Sequence, residues 1–291
     1  LLGRWHWSLD LLAHFRLQAT VCLMASVVIF VLLRHWRWAV LTGTVVLCLI
    51  GSLAKYYWPS TNDGGIGKDS ITILSFNVLT QNGERESVAT YLREQQADVA
   101  FLMEVNEAWV RHLESLNDLY PHRLERSRED NFGILLLSRW PLRDATVIET
   151  FSQSELPSVQ ATIDSPGGSW TFLGTHPLPP TSQANALDRD HQLESLAKHL
   201  RRGAIDPLVV AGDLNATPFS LPFRNLIGST SLIDSSIGFG LWPTWMRKAP
   251  VVAIPIDHVL VSQSVNIHER WIGPSLGSDH QPVLVVFSLH R

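Results

Sequence analysis

Cysteine is nearly absent from this chain. Its 291 residues include only Cys22 and Cys48, both in apolar runs near the N-terminus, which excludes a disulfide framework and a cysteine-ligated zinc site. Charged residues are also few, at 17%, whereas soluble domains average about 25%. Hydrophobic residues reach 45%, so disorder is excluded as the main state. The length allows one large domain or two small ones.

Charge is divided unevenly along the chain. Residues 1–58 carry five basic and one acidic side chains, a net charge of +4, and residues 59–291 carry 18 basic and 26 acidic side chains, a net charge of −8. A body of negative sign repels polyanions at long range, which disfavours a non-specific nucleic-acid clamp. Local cleavage of a phosphodiester with a metal ion remains compatible with this charge.

Two long apolar runs contain no charged residue. They cover 17–33 and 38–54 and are 17 residues each, at the short end of the range that spans a bilayer. Only Arg34-His35-Trp36-Arg37 separates them, and tryptophans near their ends are typical of membrane interfaces. We therefore predict a transmembrane helical hairpin within a membrane anchor at residues 1–58. Two buried helices of a soluble core are the alternative.

The basic residues near these runs bear on membrane orientation. Arg34 and Arg37 predict a cytoplasmic turn by the positive-inside rule, which places the following body outside the cytoplasm. Arg4 and Arg16 favour the opposite orientation. A sequence that begins at Leu1 leaves room for a further helix upstream.

The rest of the chain has the pattern of a layered α/β domain. Residues 59–69 are polar and glycine-rich and are predicted to form a flexible linker. From 70 to 291, short apolar runs alternate with helix-like segments. We predict strands at 71–78, 98–103, 132–137, 159–163, 170–175, 208–211, 256–262, 265–271 and 282–289, and helices at 84–96, 107–116 and about 182–202.

Polar side chains stand at the ends of five apolar runs. Taken singly, such residues are more often turn formers, helix caps or solvated side chains than catalysts. Because ligands bind near strand ends in such folds, five coincident cases indicate a catalytic site. The residues are Asn77, Glu104, His176, the pair Asp213 and Asn215, and the pair Asp279 and His280.

Seven segments around these residues resemble, in order, the motifs of the endonuclease/exonuclease/phosphatase superfamily. They are LSFNV at 74–78, FLMEV at 101–105, LSRWPL at 137–142, TH at 175–176, GDLN at 212–215, IDHVLV at 256–261 and SDHQPV at 278–283. The resemblance covers about residues 70–291. Within the superfamily, the chain most resembles the bacterial members that have an N-terminal membrane anchor. The resemblance implies a four-layer α/β sandwich, with two mixed β-sheets face to face and helices outside.

The expected metal site is made of oxygen ligands. Glu104 offers the hard carboxylate oxygen that Mg²⁺ prefers, with Mn²⁺ as an alternative, and Asn77 can add a neutral oxygen or hold a water on the metal. By resemblance, Asp279 completes or supports the metal shell. Some nucleases of the superfamily carry an acidic residue at the place of Leu79, and its absence here counts against a two-metal site.

The remaining catalytic roles also follow from the resemblance. Asp213 orients or deprotonates the attacking water, and Asn215 holds a phosphate oxygen. His176 and His280 donate hydrogen bonds to the phosphate, and Asp257 is the carboxylate that raises the pKa of His280.

Several further residues are expected to play lesser roles. Arg189 and Gln192 share one face of the predicted 182–202 helix and resemble a supporting pair behind the His176 loop. Thr244 and Trp245 resemble a loop on the substrate side, although a tryptophan beside prolines is also compatible with packing. His258, next to Asp257, is expected to pack or turn outward.

These observations predict a membrane-anchored, Mg²⁺-dependent hydrolase that cleaves a phosphodiester or phosphomonoester with water activated by metal and aspartate. Its partners are the bilayer and a phospholipid head group or small phosphoester. The expected location is the bacterial inner membrane, multi-pass, with an extracytoplasmic (periplasmic) catalytic domain. An extracytoplasmic DNA endonuclease or exonuclease is the first alternative, although basic loops are limited to Arg123, Arg126 and Arg128. A non-catalytic membrane scaffold is the second.

Overall fold

The computed structural model describes residues 6–59, 66–246, 249 and 251–290. Two six-stranded β-sheets pack face to face, and helices cover their outer surfaces. This is the four-layer α/β sandwich with mixed sheets that the sequence predicts. Three N-terminal helices precede it.

The first sheet has six strands: β1 (Ile71–Asn77), β2 (Val99–Met103), β3 (His122–Arg126), β4 (Ile134–Ser138), β11 (Val265–Ile272) and β12 (Val283–Leu289). Their order across the sheet is β11-β12-β1-β2-β4-β3. The central strands β1 and β2 run parallel, and the pairs β1–β12 and β2–β4 are antiparallel.

The second sheet also has six strands: β5 (Leu142–Ile148), β6 (Ser158–Ser165), β7 (Gly168–Thr175), β8 (Leu208–Asp213), β9 (Ile233–Asp234) and β10 (Asp257–Val261). Their order across the sheet is β5-β6-β7-β8-β10-β9. Strands β7 and β8 are parallel, and β8 pairs antiparallel with β10.

Helices lie on both outer faces of this pair of sheets. The first sheet packs against α4 (Arg85–Gln95) and α5 (Glu107–Leu113), which a short 3-10 turn extends to Leu116. The second packs against α6 (Gln183–Gly203) and α7 (Leu221–Thr230). Between the sheets, Phe101 and Phe172 meet with their ring centres 5.4 Å apart. This central layer is apolar and fully buried, so the polar site can lie only at the strand ends.

Four elements of the sandwich lack a clear sequence signal, and one of them, the edge strand β9, has only two residues. The edge strands β3 and β5 expose several charged side chains and have no apolar run, as is usual at sheet edges. Helix α7 carries Pro222 in its first turn and Gly228 near its end, which weakens its helical pattern. The three predicted helices and the nine predicted strands are present, with ends shifted by a few residues.

The predicted hairpin corresponds to α2 (Arg16–Leu32) and α3 (Trp36–Tyr57), which pack against each other. Helix α3 is long and apolar enough to cross a membrane, and only 17% of its apolar window is buried in the protein. Helix α2 meets the same test only together with α1 (Trp7–His14), from which it is bent by 69°. Most large apolar side chains that the described residues expose lie between Leu12 and Trp58.

Helix α1, which the sequence analysis did not predict, packs on the sandwich rather than beside α2. Its Asp10 accepts a hydrogen bond of 2.7 Å from the backbone N–H of Leu221, at the start of α7. The other oxygen of Asp10 lies 3.6 Å from Nη2 of Arg189 on α6. The end of α3 also contacts the sandwich, since Tyr56 packs on Phe219. The segment predicted as an anchor thus contributes directly to the body, and most of the predicted linker, residues 60–65, lies outside the described residues.

Candidate active site

The strand ends of both sheets meet at one edge of the sandwich. Asn77 is the last residue of β1, and Glu104 directly follows its parallel neighbour β2. In the facing sheet, His176 follows β7, and Asp213 ends the parallel strand β8. Asp257 begins β10 and pairs in register with Asp213, because those two strands are antiparallel.

Asp213 lies at the centre of this group. Its Oδ2 is 3.5 Å from Nε2 of His176 and 3.6 Å from Nε2 of His280. The amide of Asn77 donates to the same oxygen at 3.4 Å, and the backbone N–H of Asn215 donates to Oδ1 at 2.9 Å. Burial alone would raise the pKa of Asp213, but the imidazoles of His280 and His176 and the backbone N–H of Asn215 hold this pKa below its usual value. The carboxylate is therefore ionised at neutral pH.

His280 forms a buried pair with Asp257. Nδ1 of the imidazole is 2.9 Å from Oδ2 of Asp257. Burial opposes a charge on this ring, but the carboxylates of Asp257 and Asp213 outweigh it and raise the pKa of His280 to about 10. Thr244 fixes the position of Asp257, because its hydroxyl accepts the backbone N–H groups of Ile256 and Asp257. The predicted pairing of His280 with Asp257 is thus present in the structure.

Glu104 is held on the opposite side of the site. Its carboxylate accepts a 2.9 Å hydrogen bond from the amide of Asn77 and a 3.3 Å bond from the backbone N–H of Thr80. The backbone of Glu104 has a φ of 61°, a left-handed conformation that is costly for a residue with a side chain. Such strain at a strand end is common in functional sites.

Two sets of residues are candidates for a divalent cation. Ligand atoms of Asp213, Asp257 and His280 lie within 4.8 Å of one another, and Nδ1 of His280 is hydrogen-bonded to Asp257. Glu104 and Asp279 offer hard carboxylate oxygens on the same cavity as Asp213. Among the described residues that line this cavity there is no lysine or arginine. A cation would therefore balance its negative charge, and the donor set fits Mg²⁺ or Mn²⁺.

Asn215 depends on residues behind the site. Its side-chain amide donates to the backbone carbonyl of Pro177 at 3.0 Å. The backbone carbonyl of Asn215 accepts a 3.0 Å hydrogen bond from the guanidinium of Arg189. Gln192, one turn further along α6, donates to the hydroxyl of Thr175 at 3.0 Å. Arg189 and Gln192 are thus buried behind the His176 loop, on the helix face where the sequence analysis expects them.

Gly212 allows β7 and β8 to approach closely beside Asp213. Its φ is 152°, and a Cβ at this position would lie 1.9 Å from the carbonyl oxygen of Thr175. Only glycine fits that spacing. The GDLN segment therefore combines a close strand contact with the placement of Asp213 and Asn215.

These side chains surround a cavity of about 380 Å³, which we call the catalytic cavity. Six of the predicted site residues line it: Glu104, His176, Asp213, Asn215, Asp279 and His280. Asn77 and Asp257 lie behind its wall and contact it through Glu104 and His280.

The cavity also has walls that the sequence analysis did not assign. Phe132 stacks near His176 with ring centres 5.2 Å apart, and Asn131 and Asn185 line the cavity beside it. Trp245, which the resemblance places in a loop on the substrate side, also lines the cavity, and its indole N–H donates to Asp279 at 2.9 Å. Asn131 and Asn185 lie in a loop and at the start of α6, where no apolar run marks them. Phe132 is the first residue of the strand predicted at 132–137, but the observed strand β4 begins two residues later, at Ile134. His258 is buried and donates to the carbonyl of Ala216 at 2.8 Å, as expected for a packing residue.

Fold and site together define a layered α/β protein with a carboxylate and imidazole cluster at the joined strand ends of two sheets. The model of the Endonuclease/Exonuclease/phosphatase family matches residues 74–280. The chain therefore belongs to the Endonuclease/Exonuclease/phosphatase family. No curated protein matches the chain.

Solved structures share this fold at low sequence identity. An endonuclease/exonuclease/phosphatase from Beutenbergia cavernae is 21% identical, with a TM-score of 0.63, and the match covers 77% of this chain and 72% of that one. TDP2 of D. rerio, complexed with a single-strand DNA product, is 18% identical (TM-score 0.64; 76% and 100% covered). The human Nocturnin catalytic domain with a bound sulfate anion is 19% identical (TM-score 0.63; 78% and 96% covered).

Proposed function

We propose that this chain is a membrane-anchored, divalent-metal-dependent phosphoesterase that hydrolyses a phosphodiester or phosphomonoester. One observation carries the proposal. An ionised carboxylate, Asp213, lies within 4 Å of two imidazole nitrogens in a cavity that Glu104 and Asp279 also line. Such a site offers a water acceptor, phosphate donors and oxygen ligands for a cation.

The phosphoester's negative charge repels hydroxide, the anionic form of the nucleophile, so the site must both neutralise charge and orient the attacking water. A divalent ion held by Glu104, Asn77 and Asp279 would supply a Lewis acid for a phosphate oxygen. Asp213 accepts a hydrogen bond from the attacking water and, as that water becomes bonded to phosphorus, takes its proton. The bond from phosphorus to the leaving oxygen breaks as the new bond forms, and the leaving group departs as an alkoxide or phenolate that takes its proton from bulk water. The hydrogen bonds to Asp213 from Asn77 and Asn215 keep the carboxylate in place.

Protonated His280 donates from Nε2 to a phosphate oxygen, while its Nδ1 remains bonded to Asp257. This carboxylate keeps the ring charged and fixes its plane. His176 donates from Nε2, the nitrogen that faces Asp213, and Phe132 supports the ring from one side. Asn215, anchored through Pro177 and Arg189, presents its amide to a further phosphate oxygen. These donors act most strongly as negative charge builds on the phosphate in the transition state.

The anchoring part of the proposal depends on α2 and α3. At 17 and 22 residues, they are about 25 and 33 Å long, close to the thickness of a bilayer core. Their apolar side chains are largely exposed. Arg16, which could favour a cytoplasmic location for the body, instead stacks on Phe219 and bonds to Ser52. The arginines of the α2–α3 turn favour an extracytoplasmic body by the positive-inside rule, and Arg4 is the remaining residue that favours the opposite orientation.

Charge favours a lipid or small phosphoester over DNA as substrate. The three arginines that could follow a DNA backbone each have an acidic partner: Arg123 lies beside Glu125, Arg126 beside Glu149 and Arg128 beside Asp130. Their charges are thus already balanced. The DNA nuclease remains the alternative function, because a relative of the same fold is complexed with single-strand DNA.

The test is hydrolysis by the full chain in lipid nanodiscs, with Mg²⁺ or with EDTA. The substrates are methyl p-nitrophenyl phosphate, phospholipid vesicles and plasmid DNA. We expect Mg²⁺-dependent turnover of the first two, with little dependence on salt. Turnover of DNA alone, falling steeply with salt, would favour the nuclease. Absence of any turnover by the folded protein would contradict the proposal and favour the scaffold.

A further inference from the structure

A second cavity lies beside the catalytic cavity and has a different character. It has a volume of about 250 Å³, and we call it the apolar cavity. Its walls are mostly hydrocarbon: Leu11, Phe15, Pro179, Pro180, Ile254 and Ile256. An apolar concave surface of this kind favours a hydrocarbon ligand over a polar one, because covering it removes apolar area from water.

The two cavities share a wall. Pro179, Asn215 and Trp245 line both of them. Trp245 also donates to Asp279 in the catalytic cavity, so its indole has a polar edge on one side and an apolar face towards the other. A ligand whose phosphate lies near Asn215 would therefore have its remaining atoms beside the apolar cavity.

The N-terminal helix links this apolar cavity to the membrane segment. Leu11 belongs to α1, and Phe15 lies at the bend between α1 and α2. Beyond this bend, α2 exposes large apolar side chains such as Val21, Met24 and Val28. The apolar cavity thus lies where the hydrophobic surface of the protein meets its catalytic edge.

We propose that the apolar cavity binds a hydrocarbon chain of an amphiphilic phosphoester that enters from the bilayer. The inference rests on the proposed function, since it places the phosphate of that molecule in the catalytic cavity. Helix α1 forms part of the wall of the apolar cavity, so it favours substrates that carry a hydrocarbon chain. This preference requires α1 to stay packed on the sandwich through Asp10.

Binding of alkylphosphonates tests this subsite without requiring turnover. The full chain is placed in nanodiscs of a phosphate-free galactolipid, and methylphosphonate and hexylphosphonate are titrated in the presence of Mg²⁺. Each buried methylene group contributes roughly a fourfold gain in affinity. We expect hexylphosphonate to bind at least about tenfold more tightly than methylphosphonate, even if only part of the chain enters the cavity.

A substitution that fills the cavity should remove this preference. Leu11→Trp would occupy the space beside Trp245, and we expect the chain preference to fall below about threefold, with methylphosphonate binding unchanged. Leu12→Trp is the matched control, because Leu12 is the next residue of α1 and is 64% exposed. Ile254→Trp fills the cavity from the opposite wall and replaces Leu11→Trp if that variant does not fold.

The outcomes separate the subsite from the proposed function. Equal affinity for the two phosphonates, or a chain preference that survives in the cavity-filling variants, overturns the subsite. Hydrolysis of methyl p-nitrophenyl phosphate by the same sample reports on the proposed function independently. Tighter binding of hexylphosphonate without any hydrolysis would support the subsite and refute the phosphoesterase. Hydrolysis with equal binding of the two phosphonates would support the phosphoesterase and refute the subsite.

Discussion

Replacing Asp10 by alanine tests whether the N-terminal helix is part of the folded body. Asp10 is only 5% exposed, and its carboxylate serves two partners that belong to the sandwich. One is the backbone N–H of Leu221 at 2.7 Å, in the first turn of α7. The other is the guanidinium of Arg189 at 3.6 Å, on α6. The variant leaves both groups without this partner.

The structure sets the size of the expected loss. An N-terminal helix cap contributes about 1 kcal/mol. Removing one partner of a buried ion pair costs about 3–5 kcal/mol when nothing replaces it, but Arg189 also lies 2.8 Å from the half-exposed Asp190, so the smaller part of that cost applies. We expect Asp10→Ala to lower the free energy of unfolding by about 2–4 kcal/mol, which corresponds to roughly 4–16 °C in the melting temperature.

The assay is thermal unfolding of the full chain in lipid nanodiscs, followed by tryptophan fluorescence. Asp10→Asn keeps an oxygen that can accept from Leu221 and removes the charge, so it should lie between wild type and Asp10→Ala. Glu194→Gln is the surface control. It breaks the ion pair between Glu194 and Lys198, whose side chains are 62% and 47% exposed, respectively. Loss of this pair should lower the free energy of unfolding by less than about 0.5 kcal/mol. If Asp10→Ala is no more destabilising than Glu194→Gln, the packing of α1 on the sandwich is refuted.

Three further predictions concern the metal, pH and the backbone. Glu104→Gln removes an anionic oxygen ligand, so the Mg²⁺ concentration for half-maximal hydrolysis should rise at least about tenfold, and an unchanged Mg²⁺ titration would contradict the assignment. Burial lowers the pKa of His258 below its ordinary 6.5. The neutral ring of His258 therefore contributes its full stabilisation above pH 6.5. As pH falls below 6.5, the free energy of unfolding should decline by up to about 1.4 kcal/mol per pH unit. His258→Gln should reduce this pH dependence in thermal melts between pH 7 and 5. Gly212→Ala forces a Cβ to within 1.9 Å of the Thr175 carbonyl and should cost about 3 kcal/mol, read from the same melts, whereas a neutral effect would show that the two strands can separate freely.

The buried parts of the fold could be predicted from the sequence because their apolar runs are continuous. Strands β1, β2, β8 and β12 are of this kind, and all lie in the interior of a sheet. The edge strand β3, His122–Arg126, carries four polar side chains in five positions and gave no such pattern. Its strand conformation depends on pairing with β4, which is a tertiary effect.

The polar residues at the strand ends could also be predicted. Asn77, Glu104, His176 and Asp213 lie at the end of a buried run, and Asp279 and His280 precede one, in agreement with the resemblance. Asp257 is predicted by the resemblance alone. The contacts that link distant parts of the chain could not be predicted. Asp10 lies 211 positions from Leu221 and 36 positions separate Arg16 from Ser52, and no local pattern encodes either contact. The apolar cavity is of the same kind, since its walls come from α1, the loop after β7 and the loop before β10.

The central claim is that Asp213 activates water for metal-dependent hydrolysis, and a pair of aspartate variants tests it most directly. Asp213→Asn removes the acceptor in the catalytic cavity. Asp98→Asn changes a partly buried aspartate that accepts from the backbone N–H of Thr72 at the opposite end of β2. The measurement is release of p-nitrophenolate from methyl p-nitrophenyl phosphate with Mg²⁺ and with EDTA. We predict a loss of about 10²–10⁴-fold for Asp213→Asn, retained activity for Asp98→Asn, and no activity in EDTA. Equal rates for wild type and folded Asp213→Asn would contradict the account.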